Sequence, residues 1–220
     1  MITLRIVFAG IIVAGTLGGC AAVTPKDYSL FRAEDPRSIL VVPVLNNSIS
    51  VEAPEFFLST VSRPFAERGY YVFPANMVKS VLEQNGLSDA SLVHNADPRR
   101  LETLFGCNAV LFITIERWQS QYVVIATTTT VEFDYELRSC KTGTTLWMDS
   151  QTMEYSPDAG DSLLGQLIVS ALERAAPNYM PLTQQANMLA ASAEGQGIPA
   201  GPYLDAQYRK DTAQFPAGKQ

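Results

Sequence analysis

The chain has one histidine, three cysteines, two tryptophans and few charged residues, 17% of its 220 positions. The single histidine, His94, excludes a histidine-built metal cluster and leaves no second imidazole to support a Ser-His-Asp arrangement. It stands in a polar stretch and reads as a solvated side chain. Glycine-rich phosphate loops and the HExxH and CxxC spacings are all missing. Basic residues number 16 against 22 acidic ones, for a formal net charge of −6. That balance argues against nucleic acid, whose phosphates reward clustered Lys and Arg, and against a polybasic hold on lipid headgroups. Beyond Cys20 no apolar run reaches the roughly 20 residues that a spanning helix needs. No residue is therefore assigned a catalytic, cofactor-binding or metal-ligating role, and no enzyme activity is expected.

What the sequence does have begins at its start. Arg5 gives a short basic lead, Ile6 to Leu17 is apolar or small, and the run closes on Leu17-Gly18-Gly19-Cys20. A basic start, an apolar core of about 7–15 residues and small residues at the cut make a secretory signal. The tetrapeptide resembles a lipobox, in which small residues suit a narrow peptidase site and the cysteine sulfur carries a diacylglyceryl group. The alternative is an ordinary signal with a chance cysteine, cut after Gly19 or Ala22. The register of apolar core, small residues and Cys20 favours the lipobox. With residues 1–19 removed, Arg5 goes too, and the mature charge is about −7. Ala21 after the cysteine implies, by the same resemblance, sorting to the outer membrane, with the chain facing the periplasm or the cell surface.

Residues 20–36 are small, polar and charged, with Pro25 and Pro36, and read as a lipidated tether reaching up to ~50 Å if extended. Residues 37–193 read as one α+β domain. Ser38 to Leu45 (SILVVPVL) is a buried strand, with Pro43 at an edge, a bulge or its end. Pro54 opens a helix through Phe57, Val61 and Phe65 to Gly69, which Pro64 should kink or split. Tyr70 to Pro74 is a short strand; its aromatic rings read as packing rather than a ligand platform. Asn76 caps a second helix, Leu87 to Asp97 is loop, and Asp97-Pro98 starts a third helix that ends at Gly106. Val110 to Ile115 is apolar on both faces and predicts a central strand. Val131, Phe133, Tyr135 and Leu137 alternate with Glu132, Asp134, Glu136 and Arg138, one face buried and one wet. The carboxylates there read as a solvated face rather than a calcium site. Lys141-Thr142-Gly143 turns the chain into a third strand, Thr144 to Tyr155. Leu163 to Leu172 predicts a covering helix, interrupted at Pro177 and continued from Tyr179 to Ala193. Residues 194–220, rich in Gly, Pro, Gln and Ala, read as an extended or mobile tail. The fold class is α+β, a single domain with a mixed sheet: an early βαβ-like unit, a three-stranded antiparallel meander and a covering C-terminal helix.

Several segments together resemble a family of bacterial lipoproteins whose known member was named as a genome-derived neisserial vaccine antigen. They are SILVVPV, PFAERGYYVFP (Pro64 to Pro74), NAVLFITIERW (Asn108 to Trp118), TGTTLW (Thr142 to Trp147) and GPY (Gly201 to Tyr203). The resemblance covers roughly Ile39 to Tyr203 and implies a fold similar to the curli-secretion lipoprotein CsgG and the amino-terminal domain of TolB. It implies partners as well, a CsgG-like lipoprotein and a small accessory lipoprotein, and no catalytic residues. Two functional readings follow. One is a non-enzymatic, protein-binding component of an envelope assembly; the other is a binding module for peptidoglycan or lipid. The aromatic first helix (Phe56, Phe57, Phe65) also predicts self-association, a homodimer being the commonest form.

Cys107 and Cys140 remain after Cys20 is lipidated. With Phe112 set opposite Tyr135 in an antiparallel pair, Cys107 falls opposite Cys140, close enough for a disulfide. Two buried free thiols are the alternative. A bridge would close a loop of about 30 residues and add about 3 kcal/mol in the chain-entropy account.

Overall fold

A computed structural model describes residues 24–123, 126–157 and 179–218. The order is α1 (Ser29–Glu34), β1 (Ser38–Val41), β2 (Leu45–Asn46), α2 (Ala53–Glu67), β3 (Tyr71–Val72), α3 (Ala75–Gln84), α4 (Ala90–His94), α5 (Pro98–Phe105), β4 (Ala109–Val123), β5 (Ala126–Ser139), β6 (Thr145–Tyr155) and α6 (Tyr179–Ser192). The sheet runs β3-β1-β4-β5-β6, with β2 beside β4. β1 pairs in parallel with β3 and β4, while β4, β5 and β6 form an antiparallel meander. The mixed α+β domain expected from the sequence is what folds.

Pro43 divides the first apolar run into β1 and β2. Val41 pairs with Leu111 before it and Leu45 with Thr114 after it, so four steps of one strand match three of the other. The extra residue makes a bulge, the accommodation open to a residue that has no N–H to give the ladder. Pro64, by contrast, leaves α2 a single continuous helix. Asn76 does not cap α3; Pro74 holds that place and has no side-chain acceptor. The stretch read as loop contains α4, whose cap, Asp89, accepts from the Ser91 amide at 2.8 Å.

Alternation along the strands builds two cores. On one face Ile39, Val41, Leu111, Ile113, Phe133 and Tyr135 meet Phe57, Val61 and Phe65 of α2 and Leu182, Ala186 and Ala190 of α6. On the other, Leu40, Val42, Val110 and Phe112 meet Val78, Leu82, Val93 and Leu101 of α3 to α5. Asn187, fully buried on α6, accepts from the Tyr135 hydroxyl at 2.9 Å and donates to Thr60 Oγ1 at 2.9 Å. Of the three α2 aromatics, Phe57 and Phe65 are spent in the core; only Phe56 is exposed, stacked on Trp118. The helix thus has little left of the surface that suggested a dimer.

Both ends of the predicted domain move outward. Residues 24–36 are not a free tether: Tyr28 and Phe31 are buried, and the Tyr28 amide donates to Pro216 O at 3.0 Å. The tail is not extended; Ile198 and Phe215 join the core and Ala200 is buried. The two segments meet at Asp211. Its carboxylate accepts from Arg32 at 2.7 Å, Arg68 at 3.2 Å and the Ala200 amide at 2.7 Å. Gly201 lies so close to Gly69 that a Cβ there would fall 2.3 Å from Gly69 O, which explains the glycine of the GPY segment.

Cys107 and Cys140 are joined, with their Cα atoms 6.0 Å apart. Ile113, not Phe112, lies opposite Tyr135, one residue from the expected register. The bridge does not depend on that register, because both cysteines lie just outside the paired strands, where the Cys140 amide donates to Asn108 O at 2.9 Å. Gly106, left-handed at φ 65°, ends α5 and sets the direction in which Cys107 enters.

Two outcomes test this packing. Replacing both bridge cysteines by alanine should lower stability by about 3–4 kcal/mol, from the 33-residue separation, and urea unfolding with and without reductant checks it. Asp211→Ala leaves two guanidiniums buried without their carboxylate and should cost about 3–5 kcal/mol by the same measurement.

Candidate functional site

The connections place a cleft. From β1 the chain crosses to β3 on one side by way of α2, then returns over α3 to α5 to β4 on the other side. Neighbouring connections that leave in opposite directions open a crevice at the carboxyl ends of parallel strands, the usual ligand position in open α/β sheets. A cleft of ≈ 770 Å³ lies there, walled by Val42, Pro43 and Val44, by Pro54 and Leu58 of α2, and by Lys79 of α3. The first turns of α2 and α3 both border it.

His94 is not part of that lining but is tied to Pro43, which is. It is half-buried against Phe112, ring centroids 5.1 Å apart, and its Nε2 lies 3.0 Å from Pro43 O. A carbonyl only accepts, so Nε2 carries the proton and the ring is held against the bulge. Burial pushes its pKa below the ordinary 6.5 and nearby Arg138 adds to this, while the Pro43 bond and Glu136 act the other way. His94 is half-buried rather than solvated as read from the sequence, and borders a second pocket of ≈ 340 Å³ with Phe112, Glu136 and Arg138.

The predicted carboxylate row is on the open face of the meander. Glu132 faces Arg117 at 3.6 Å, Asp134 accepts from Ser150 at 2.6 Å, and Glu136 accepts from Arg138 and Thr145, each at 2.6 Å. Among the described residues no three His, Cys, Asp or Glu side chains gather as a metal site. Tyr70 and Phe73 pack, the former donating to Pro199 O at 2.7 Å. Cys20 and Leu163 to Leu172 lie outside the described residues.

A family model described as "Putative lipoprotein GNA1162-like" matches residues 26–202. The chain belongs to this family. It is 36% identical over 166 residues to "Putative lipoprotein NMB1124/NMB1162" of Neisseria meningitidis serogroup B, covering 75% of this chain and 77% of that one. The crystal structure of lipoprotein GNA1162 from Neisseria meningitidis superposes with a TM-score of 0.54 at 36% identity, over 65% of this chain and 99% of that one. A dodecameric PelC from Paraburkholderia phytofirmans is more distant, with a TM-score of 0.42 at 14% identity over 69% of this chain and 91% of that one. The family resemblance read from the sequence segments is therefore shown.

The His94 brace has a pH signature. The unfolded chain takes up the imidazole proton near 6.5, while the folded chain resists until lower pH, so the unfolded state binds more protons in that window. Stability should fall as pH drops below about 6.5 and level off below the folded pKa; His94→Gln should flatten that part of the profile. Urea midpoints across pH, with the lone imidazole resonance followed by NMR, check it.

Proposed function

We propose that this member of the lipoprotein family is held in the outer membrane through lipid on Cys20 and binds other envelope proteins from the periplasmic side, without catalysis of its own. The observation that carries this reading is the Leu17-Gly18-Gly19-Cys20 motif standing at the end of an apolar signal in a chain of this family. Ala21 supports the outer membrane as the destination. The surface offered to partners is the open face of β5 and β6, where Glu132, Asp134, Thr152 and Glu154 are directed away from the core and α3 to α5 stop at β4. Its chemistry fits a partner with a basic patch. A CsgG-like lipoprotein and a small accessory lipoprotein are the partners that the sequence resemblance supplies.

The cleft at the carboxyl ends of β1 and β3 favours the second reading, an envelope ligand such as a glycan strand or a lipid held between helix and sheet. Self-association rests now on Ile49, Val51 and Phe56 rather than on the whole of α2.

Cys20→Ser should abolish palmitate labelling and release the protein from outer-membrane extracts; a variant that still labels and still partitions overturns the anchor. Purification of the acylated protein from detergent extracts should bring down an envelope protein that Asp134→Lys with Glu154→Lys releases at unchanged urea midpoint. Retention on protein-free sacculi, unaffected by those changes, would select the cleft reading instead.

A further inference from the structure

We infer that one pole of the domain, centred on Leu30 and Met148, rests on the lipid headgroups, so that the protein has a fixed orientation on the membrane and is not suspended above it. The inference rests on the Cys20 anchor proposed above and begins from where the described chain starts. Thr24 O accepts from Gln196 Nε2 at 2.9 Å, and the Lys26 amide donates to Gly195 O at 2.9 Å. Four residue steps separate Cys20 from Thr24, at most about 14 Å of chain. The headgroup layer of one leaflet takes up about 5–8 Å of that length. What remains, less than about 10 Å, holds the surface around Thr24 against the membrane.

That surface is apolar where the chain meets it. Two residues beyond Thr24 a groove of ≈ 470 Å³ opens, lined mainly by apolar surface of Leu30, Leu146, Trp147 and Met148 together with Lys26, Asp27 and Thr145. Leu30 and Met148 are 56% and 61% exposed. The cation in the groove is already engaged: Lys26 Nζ donates to Met148 O at 2.7 Å and to Asp149 at 2.5 Å, and lies 5.3 Å from the Trp147 ring centroid. With the lysine neutralised and the mature chain carrying a net charge of about −7, contact with lipid is apolar rather than electrostatic. Lys26 also closes the first part of the β6 edge, giving the carbonyl of Met148 a donor that is not another strand. The groove is thus matched to the boundary between headgroups and acyl chains. Its position beside the leader, and not its exposure alone, identifies that occupant.

The test uses full-length acylated protein in vesicles of phosphatidylethanolamine and phosphatidylglycerol. A bimane label is attached to Leu30→Cys, to Met148→Cys or, as the distant control, to Met77→Cys. Met77 is 65% exposed on α3, which packs over β1, three strand spacings or about 14 Å across from β6. Lipids with nitroxide on the headgroup should quench the labels at 30 and 148 several-fold more than the label at 77, and high salt should leave the pattern unchanged. Equal quenching at the three positions on protein that floats with the vesicles overturns the orientation and leaves the anchor standing. Quenching strongest at 77 does the same. Failure of the unlabelled wild type to float overturns the anchor, and the orientation with it.

Discussion

A carboxylate buried between two guanidiniums is the constraint on which the two ends of the molecule depend. Asp211 is largely buried and is satisfied by Arg32 from α1, Arg68 from the end of α2 and the Ala200 amide from its own segment. Remove any one element and a charge is stranded in a low-dielectric interior, which costs several kcal/mol. The apolar contacts follow the charges inward: Phe215 lies under the Arg68 guanidinium at 4.9 Å and edge-on to Tyr28 at 5.2 Å. Tyr208 and Arg209 add a second, more exposed link to Asp35. The arm before β1 and the segment after α6 are in this way parts of the domain, and the position of Thr24 against Gln196 is fixed.

The sheet above this base is covered unequally. The face packed by α2 and α6 is apolar from β1 across to β6, while the opposite face is apolar only where α3 to α5 lie over β1 and β4. The difference is written in the strands: β4 is apolar on both sides from Val110 to Ile115, and β5 alternates from Val131 to Arg138. The Tyr135–Asn187–Thr60 chain is the exception within the first core. It fixes α6 at one position on β5 and α2, because a slide of either helix would leave three polar groups without partners. The uncovered half remains available for a partner, and the cleft lies at the opposite edge, so the two readings of function concern different regions of the same surface.

Periodicity made most of this fold legible. The period of two in Val131 to Leu137, the switch to a doubly apolar strand at Val110 and the proline and glycine punctuation at Pro54, Pro98 and Gly106 translate directly into elements. What periodicity misses is anything whose burial is decided by a distant partner. Residues 194–218 have the composition of a loose tail, yet their glycines serve close backbone approach, as at Gly201, and one aspartate finds two arginines far away in sequence. Tyr28 and Phe31 gave a weak signal, two aromatics in a charged stretch. For the candidate site, the cleft follows from the crossing of connections and has no sequence motif; His94 was misplaced because its burial comes from the Pro43 bulge, fifty-one positions earlier. The cysteine pair was reached through a register one residue in error, since the turn after Gly106 and not the ladder sets their approach.

The contact between Tyr28 and Pro216 has a consequence in time. The amino-terminal arm is covered by a segment separated from it by almost the whole domain, the Tyr28 amide donating to Pro216 O. Until residue 216 is available, Tyr28, Phe31 and the face of Tyr70 have no lid, and the arginines of α1 and α2 have no counter-charge. The fold therefore cannot be completed progressively; closure waits for a contact between residues 28 and 216, the kind that is slowest to form.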